Sequence, residues 1–245
     1  MWKNYNLEIL YQDKYIVVIN KPSGLLVHKS MIDRHEIYFA MAMLRDQIGQ
    51  YVYPVHRLDK PTSGVLVFAL SSECAREISN QIQTIEKQYI AIVRGYSLEN
   101  GEINHPLLEK LDKISDKHAK EDKPAQDAIT SYKRLAIIEI AKPVGKYEHT
   151  RYSLVLLKPK TGRKHQLRRH MKHISHHILG DTKYGRGEHN KFTREEYGVN
   201  RLLLHAYSLK LIHPYTNKEL LFIAPYDEVF TKIFQEFSWE KQALI

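Results

Sequence analysis

His56-Arg57-Leu58-Asp59-Lys60-Pro61-Thr62-Ser63-Gly64 runs without a break into Val65-Leu66-Val67-Phe68-Ala69-Leu70. The second part predicts a buried strand, because six apolar residues follow one another between Gly64 and Ser71-Ser72. The first part is a charged loop delivered onto that strand. Pro61 fixes its own φ and pushes Lys60 towards an extended conformation, and Gly64 permits a tight approach that a side chain would obstruct. Asp59 thus lies in a rigid turn beside a low-dielectric core, with Arg57 and Lys60 close in sequence. An aspartate so placed can serve as an ionised nucleophile or base, and it can equally cap the turn and pair with Arg57.

Outward from this stretch, the pattern predicts a mixed architecture. Leu7–Tyr11 and Tyr15–Asn20 suggest a hairpin, after which Lys21-Pro22-Ser23-Gly24 turns the chain. Helical spacing runs over Glu36–Ile48, closed by Gly49, and again over Ser71–Gln83. Lys87–Gly95, Ile129–Ile140, Arg151–Lys158 and Arg201–Ile212 read as strands. Gly162–Ile174 reads as a helix, Gly180–Val199 as a polar loop, and Asp227–Phe237 as a closing helix capped by Asp227. Asn104–Gln126 is rich in charge and predicts an exposed insertion. With no repeat and no linker, residues 1–245 predict one α/β (α+β) domain on a mixed, mainly antiparallel sheet flanked by helices.

Lys and Arg number 37 against 28 Asp and Glu, a formal net charge of +9. That excess favours a polyanionic partner. No apolar run is long enough to cross a bilayer, and the first residues lack the plan of a secretory signal. Cys74 is the only cysteine, which fits a reducing compartment and predicts an inert packing residue in a cytoplasmic protein.

Two further clusters carry chemistry. Thr161-Gly162-Arg163-Lys164-His165-Gln166-Leu167-Arg168-Arg169 places four cations within seven residues, where Thr161-Gly162 is expected to open a helix suited to phosphate. Lys87-x-Tyr89-x-Ala91 sets a tyrosine in a strand. His165, His170, His173, His176 and His177 crowd together, yet no carboxylate pair or cysteine completes a metal shell, so no metal is expected. No phosphate-loop or dinucleotide fingerprint is present either.

Together, His56-Arg57-Leu58-Asp59-x-x-Thr62-Ser63-Gly64, Lys87-x-Tyr89-x-Ala91, Thr161-Gly162-Arg163-x-His165-Gln166-Leu167-Arg168 and Leu202-Leu203-Leu204-His205-Ala206 resemble the motifs of the RluA-type pseudouridine synthases. The resemblance extends from about Leu7 to Ala224. It implies a curved sheet with helices around it; many members carry a small RNA-binding domain ahead of the catalytic one, and none is expected here. It implies catalysis by Asp59, with Arg163 as its ion-pair partner and Tyr89 stacking on the target base. His56, Arg57, Lys164 and Arg168 are then RNA-contacting residues, Arg57 filling the space left by an extruded uridine. His205 is structural or behind the pocket.

The reaction so implied detaches uracil from ribose, turns it and rejoins it through carbon. It needs no cofactor. Whether Asp59 attacks the ring, attacks C1′ or assists an elimination stays open. The expected partner is tRNA, met by a monomer without an obligate protein partner and without a membrane. Ribosomal RNA is the alternative substrate, and a non-catalytic RNA-binding protein and a metal-dependent nuclease or phosphatase using the His-rich helix are the rival classes.

Overall fold

The run after Gly64 is a strand whose seven residues, Ser63–Ala69, are all buried. This computed structural model describes residues 2–29, 35–82, 84–109 and 124–245. Its strands are β1 (Glu8–Gln12), β2 (Ile16–Lys21), β3 (Tyr53–Pro54), β4 (Ser63–Ala69), β5 (Glu86–Arg94), β6 (Asn100–Asn104), β7 (Ile129–Ile140), β8 (Thr150–Pro159), β9 (Leu204–Ile212) and β10 (Glu219–Ile223). Its helices are α1 (Ala40–Ile48), α2 (Ser72–Asn80), α3 (Gln166–His173), α4 (Gly187–Tyr197), α5 (Glu228–Glu236) and α6 (Glu240–Ala243). The class is the expected mixture of helices with mainly antiparallel strands.

The chain forms two compact units. The first comprises Met1–Lys87, Leu108–Gln126 and Ala206–Pro225; the second comprises Gln88–Leu107, Asp127–His205 and Tyr226–Ile245. In the first, β2 pairs antiparallel with β1 and β4, β3 adds to β4, and β10 pairs with β9. Ile16, Val18, Val65, Val67, Ile78, Leu209, Leu211 and Phe222 form its core, the alternating residues of β2 and β4 pointing one way. Gly64 adopts φ +112°, and a Cβ there would lie 2.2 Å from the Ala206 carbonyl oxygen, so β4 begins where only backbone fits. Ser71 caps α2 by accepting the Cys74 N–H. Cys74 is fully buried, and burial first of all pushes its thiol up to about 11, as an inert packing residue requires.

In the second unit β5, β8, β7 and β6 pair antiparallel in that order, with a register shift between Arg134 and Ala136. Ala91, Val93, Val155 and Leu157 pack there against Leu167 and Met171 of α3. Asp227 caps α5 through the Phe230 N–H, as expected.

Three expectations need correction. The helix expected from Gly162 begins only at Gln166, because His165 stands in the left-handed region at φ 56°. The polar loop expected over 180–199 contains α4, whose buried residues, His189, Asn190 and Thr193, are all polar and leave no apolar period to read. The strand expected from Arg201 starts at Leu204, since the Arg201 side chain turns back to the Leu202 carbonyl and to Asp227. Of the expected insertion 104–126, residues 110–123 lie outside the described residues.

Candidate active site

Asp59 is half-buried in the turn that delivers the chain to β4. Its carbonyl accepts the Thr62 N–H at 3.0 Å, closing the turn that Pro61 predisposes. A second loop grips this turn from outside. Ser23 Oγ donates to the Pro61 carbonyl at 2.8 Å, and the Gly24 N–H donates to the Lys60 carbonyl at 2.9 Å. Lys21 reaches the same carbonyl at 3.2 Å while its Nζ also donates to the Pro22 and Leu25 carbonyls, both at 2.8 Å. The Lys21 side chain is fully buried. A buried ammonium is costly unless its donors are satisfied, and here backbone oxygens satisfy them. The ammonium therefore ties the 21–25 loop to the Asp59 turn.

The other residues of this segment divide by exposure. Arg57 is exposed; burial and then the Arg57 charge lower the His28 imidazole below its usual range. Lys60 pairs with Glu36 at 2.9 Å. His56 does not offer a cation. Burial, followed by the nearby Lys87 charge, pushes it down to about 3, and the neutral ring accepts the Val67 N–H at Nε2, 3.2 Å away. It pins the loop to β4.

In the second unit, Tyr89 sits on β5 opposite Leu157, half-buried against the core around Val155 and Leu157. The segment 161–166 is organised by an amide that sequence reading did not single out. Gln166 Nε2 donates to the Ile129 carbonyl and to Thr130 Oγ1, both at 3.0 Å, while its Oε1 accepts the Arg163 N–H at 2.9 Å and the Thr161 hydroxyl at 2.8 Å. Thr161 Oγ1 accepts the Ile129 N–H in turn. Arg163 and Lys164 are exposed on this braced loop, and Arg163 Nε donates to the Asp127 carbonyl at 3.0 Å.

Arg168 differs from its neighbours. Sequence places it among the RNA-contacting cations, but its side chain is 6% exposed and bonds Asp181 through two nitrogens, at 2.7 and 2.9 Å. Burial pushes the Asp181 carboxyl up, yet the Arg168 bonds and charge and the Tyr184 and Lys183 N–H groups outweigh it and hold the carboxyl below its usual range. Such a bidentate, buried pair fixes the fold of the 168–184 segment. The physical reason for the difference is that a charge in sequence carries no sign of its burial.

The histidines of this region are likewise spent separately. His165 bonds the Tyr184 hydroxyl, His170 lies between Thr130 and the His105 carbonyl, His176 meets the Arg94 carbonyl, and His177 meets the Tyr184 carbonyl. Among the described residues no three His, Cys, Asp or Glu side chains come together as metal ligands. His205 is buried, its ring against Tyr226 and Phe230.

The sequence profile of the RNA pseudouridylate synthases matches residues 15–173, the span that holds the Asp59 turn, Tyr89 and Arg163. The chain is 55% identical over 240 residues to the tRNA pseudouridine synthase C of Vibrio vulnificus, covering 97% of this chain and 98% of that one. It is 54% identical over 241 residues to the enzyme of the same name from Vibrio cholerae, covering 98% and 99%. Among solved structures, human RNA pseudouridylate synthase domain containing 4 superposes with a TM-score of 0.68 at 29% identity, over 94% of this chain and 93% of that one. A profile that takes in three of the four motif segments, with identity above one half along nearly the full length, leaves one conclusion: the chain belongs to the RNA pseudouridylate synthase family.

Proposed function

We propose that this protein converts a uridine of tRNA, at position 65, to pseudouridine in the cytoplasm, as a single catalytic chain acting as a monomer. The observation that carries the reading is the near full-length identity to enzymes named tRNA pseudouridine synthase C. No helix among the described residues is long and apolar enough to cross a membrane.

The isomerisation breaks the bond from ribose C1′ to uracil N1 and makes one from C1′ to C5, with the C5 proton lost and one gained at N1. No electrons are exchanged with an outside partner. Asp59 supplies the carboxylate that acts on the uridine, held by a turn that Lys21, Ser23 and Gly24 brace at the backbone. Pre-organisation of this kind lets a charged group act without first reorganising its surroundings. Tyr89 and Arg163 take the roles their motifs carry, the ring that stacks on the base and the arginine of the catalytic set. Arg57 and Lys164, both exposed, meet the RNA; His56 and Arg168 support the loops that present them.

The test is turnover on tRNA transcripts. Asp59→Asn should lower pseudouridine formation by several orders of magnitude and leave tRNA affinity within about threefold, since the loss is confined to the transition state. Arg163→Lys should be a poor substitute, a point charge in place of a planar fork. Mapping pseudouridine in RNA from cells lacking the protein checks the position: loss from ribosomal RNA with tRNA unchanged would overturn the substrate.

A further inference from the structure

Arg94, Lys146 and Arg186 line a cavity of about 320 Å³ within the second unit, together with Tyr147, Glu188 and His189. That volume is at the lower end of the roughly 300–1,000 Å³ common to small-ligand sites. None of these residues belongs to a family motif named above. We propose that the cavity binds one nucleotide, its phosphate on the three cations and its base against the Tyr147 ring. The nucleotide is either one unit of a bound RNA strand or a free mononucleotide.

Three cations face a single carboxylate, Glu188, which Arg186 already holds at 2.8 Å. Arg94 and Lys146 make no ion pair among the described residues; both lie over the Tyr147 ring, 5.9 and 5.5 Å from its centre. Like charges gather around a cavity at a cost that an anion relieves. The Arg94 head group is also fixed in place. Its Nε donates to His189 Nε2 at 3.0 Å, so the proton of that ring is on Nδ1, directed to the Tyr152 hydroxyl 3.2 Å away. Burial, and after it the Arg94 charge, pushes His189 down to about 4, so the ring stays a neutral acceptor at physiological pH. A guanidinium anchored at Nε keeps its terminal nitrogens for a phosphate.

The aromatic component makes the ligand more than phosphate. Tyr147 is 52% exposed, which leaves ring surface open beside the cations. A cation pair adjoining an exposed ring matches a phosphate adjoining a base, and stacking on tyrosine is tolerant of base identity.

The experiment uses the full chain, with binding of tRNA, uridine 5′-monophosphate and inorganic phosphate measured on wild type and variants. Lys146→Ala with Arg186→Ala removes two exposed cations and spares the His189 network; an unchanged melting temperature verifies the fold. For a strand-bound nucleotide, this double variant should bind tRNA about tenfold more weakly, and its log–log salt slope should be shallower by about 2. Tyr147→Ala should weaken tRNA binding a further several-fold and leave the slope alone. Turnover at saturating tRNA should be unchanged in both. For a free nucleotide, tRNA affinity holds while wild type binds uridine 5′-monophosphate more tightly than phosphate and the variants lose that binding. If the variants match wild type towards both tRNA and the mononucleotide, the site is refuted. A chain that binds here yet makes no pseudouridine would sink the proposed reaction and leave this site standing.

Discussion

Two of the family motifs lie in loops, those of Asp59 and Arg163, and the two loops are braced by opposite means. The Asp59 turn is held by a buried cation, the Lys21 ammonium, which donates to three backbone carbonyls. The loop of Arg163 is held by a neutral amide, Gln166, which both donates and accepts. An ammonium can satisfy only acceptors, so the first arrangement gathers carbonyls around a single nitrogen. An amide closes a ring of donors and acceptors and carries no desolvated charge. The lesson is that rigidity is obtained at a higher electrostatic cost beside the carboxylate than beside the arginine.

The buried pair behind the second loop carries the largest expected effect. Arg168→Ala strands the Asp181 carboxylate in a site that is nearly closed to water. It should destabilise the protein by about 3–5 kcal/mol. A melting temperature lowered by roughly 10 °C is expected, measured by calorimetry. A smaller change, under about 1 kcal/mol, would mean that the pair is not what fixes the segment.

Next in size, Lys21→Met keeps the apolar stem and deletes the ammonium, leaving three carbonyls without this donor. A loss of about 2–4 kcal/mol should appear in urea unfolding. Turnover should fall with tRNA affinity little changed, because the carbonyl of Lys60, next to Asp59, keeps only the Gly24 N–H of its two donors. A stable variant with normal turnover would remove the distinction drawn between the two loops.

Acid acts on the two regions over different pH ranges. His56 has a folded value near 3 against about 6.5 in the unfolded chain, so the unfolded state takes the proton first. Its stabilising share is complete above pH 6.5 and declines as pH falls towards 3, reaching about 2 kcal/mol lost at pH 5. Asp181, with its folded value depressed, contributes above its unfolded value near 3.9 and loses that only at lower pH. Stability curves of wild type and His56→Asn between pH 7 and 5 should therefore converge as the medium becomes more acid. Parallel curves would contradict the neutral-acceptor role.

The smallest effect belongs to the amide itself. Gln166→Ala should cost about 1–2 kcal/mol, and Gln166→Glu more, since a carboxylate cannot donate to the Ile129 carbonyl. Equal stability of the two variants would show that the donor half of the ring is idle.

Sequence made much of this legible where a pattern was strong. The apolar run 65–70, the two long strands β7 and β8, and the Asp227 cap were plain from periodicity and residue type. Asp59, Tyr89 and Arg163 were found through motifs, which record residue type and spacing. Partnership was not legible. Arg168 and Lys164 look alike in a row of cations, and only the fold brings Asp181 to one of them. Lys21 stood in a recognisable turn, but its burial depends on carbonyls as far away as residue 60. The helix α4 escaped because its buried face is polar and its first residue follows Arg186, which supplies no side-chain cap.

The single thiol has an experimental consequence. Cys74 is closed to solvent and its thiolate is disfavoured. Because thiol reagents act on exposed thiolates, the native chain offers them no ready target. A cysteine introduced anywhere on the surface would then be the one position that reacts. Each molecule would carry a single dye or spin label at a chosen residue, with no native cysteine to delete first.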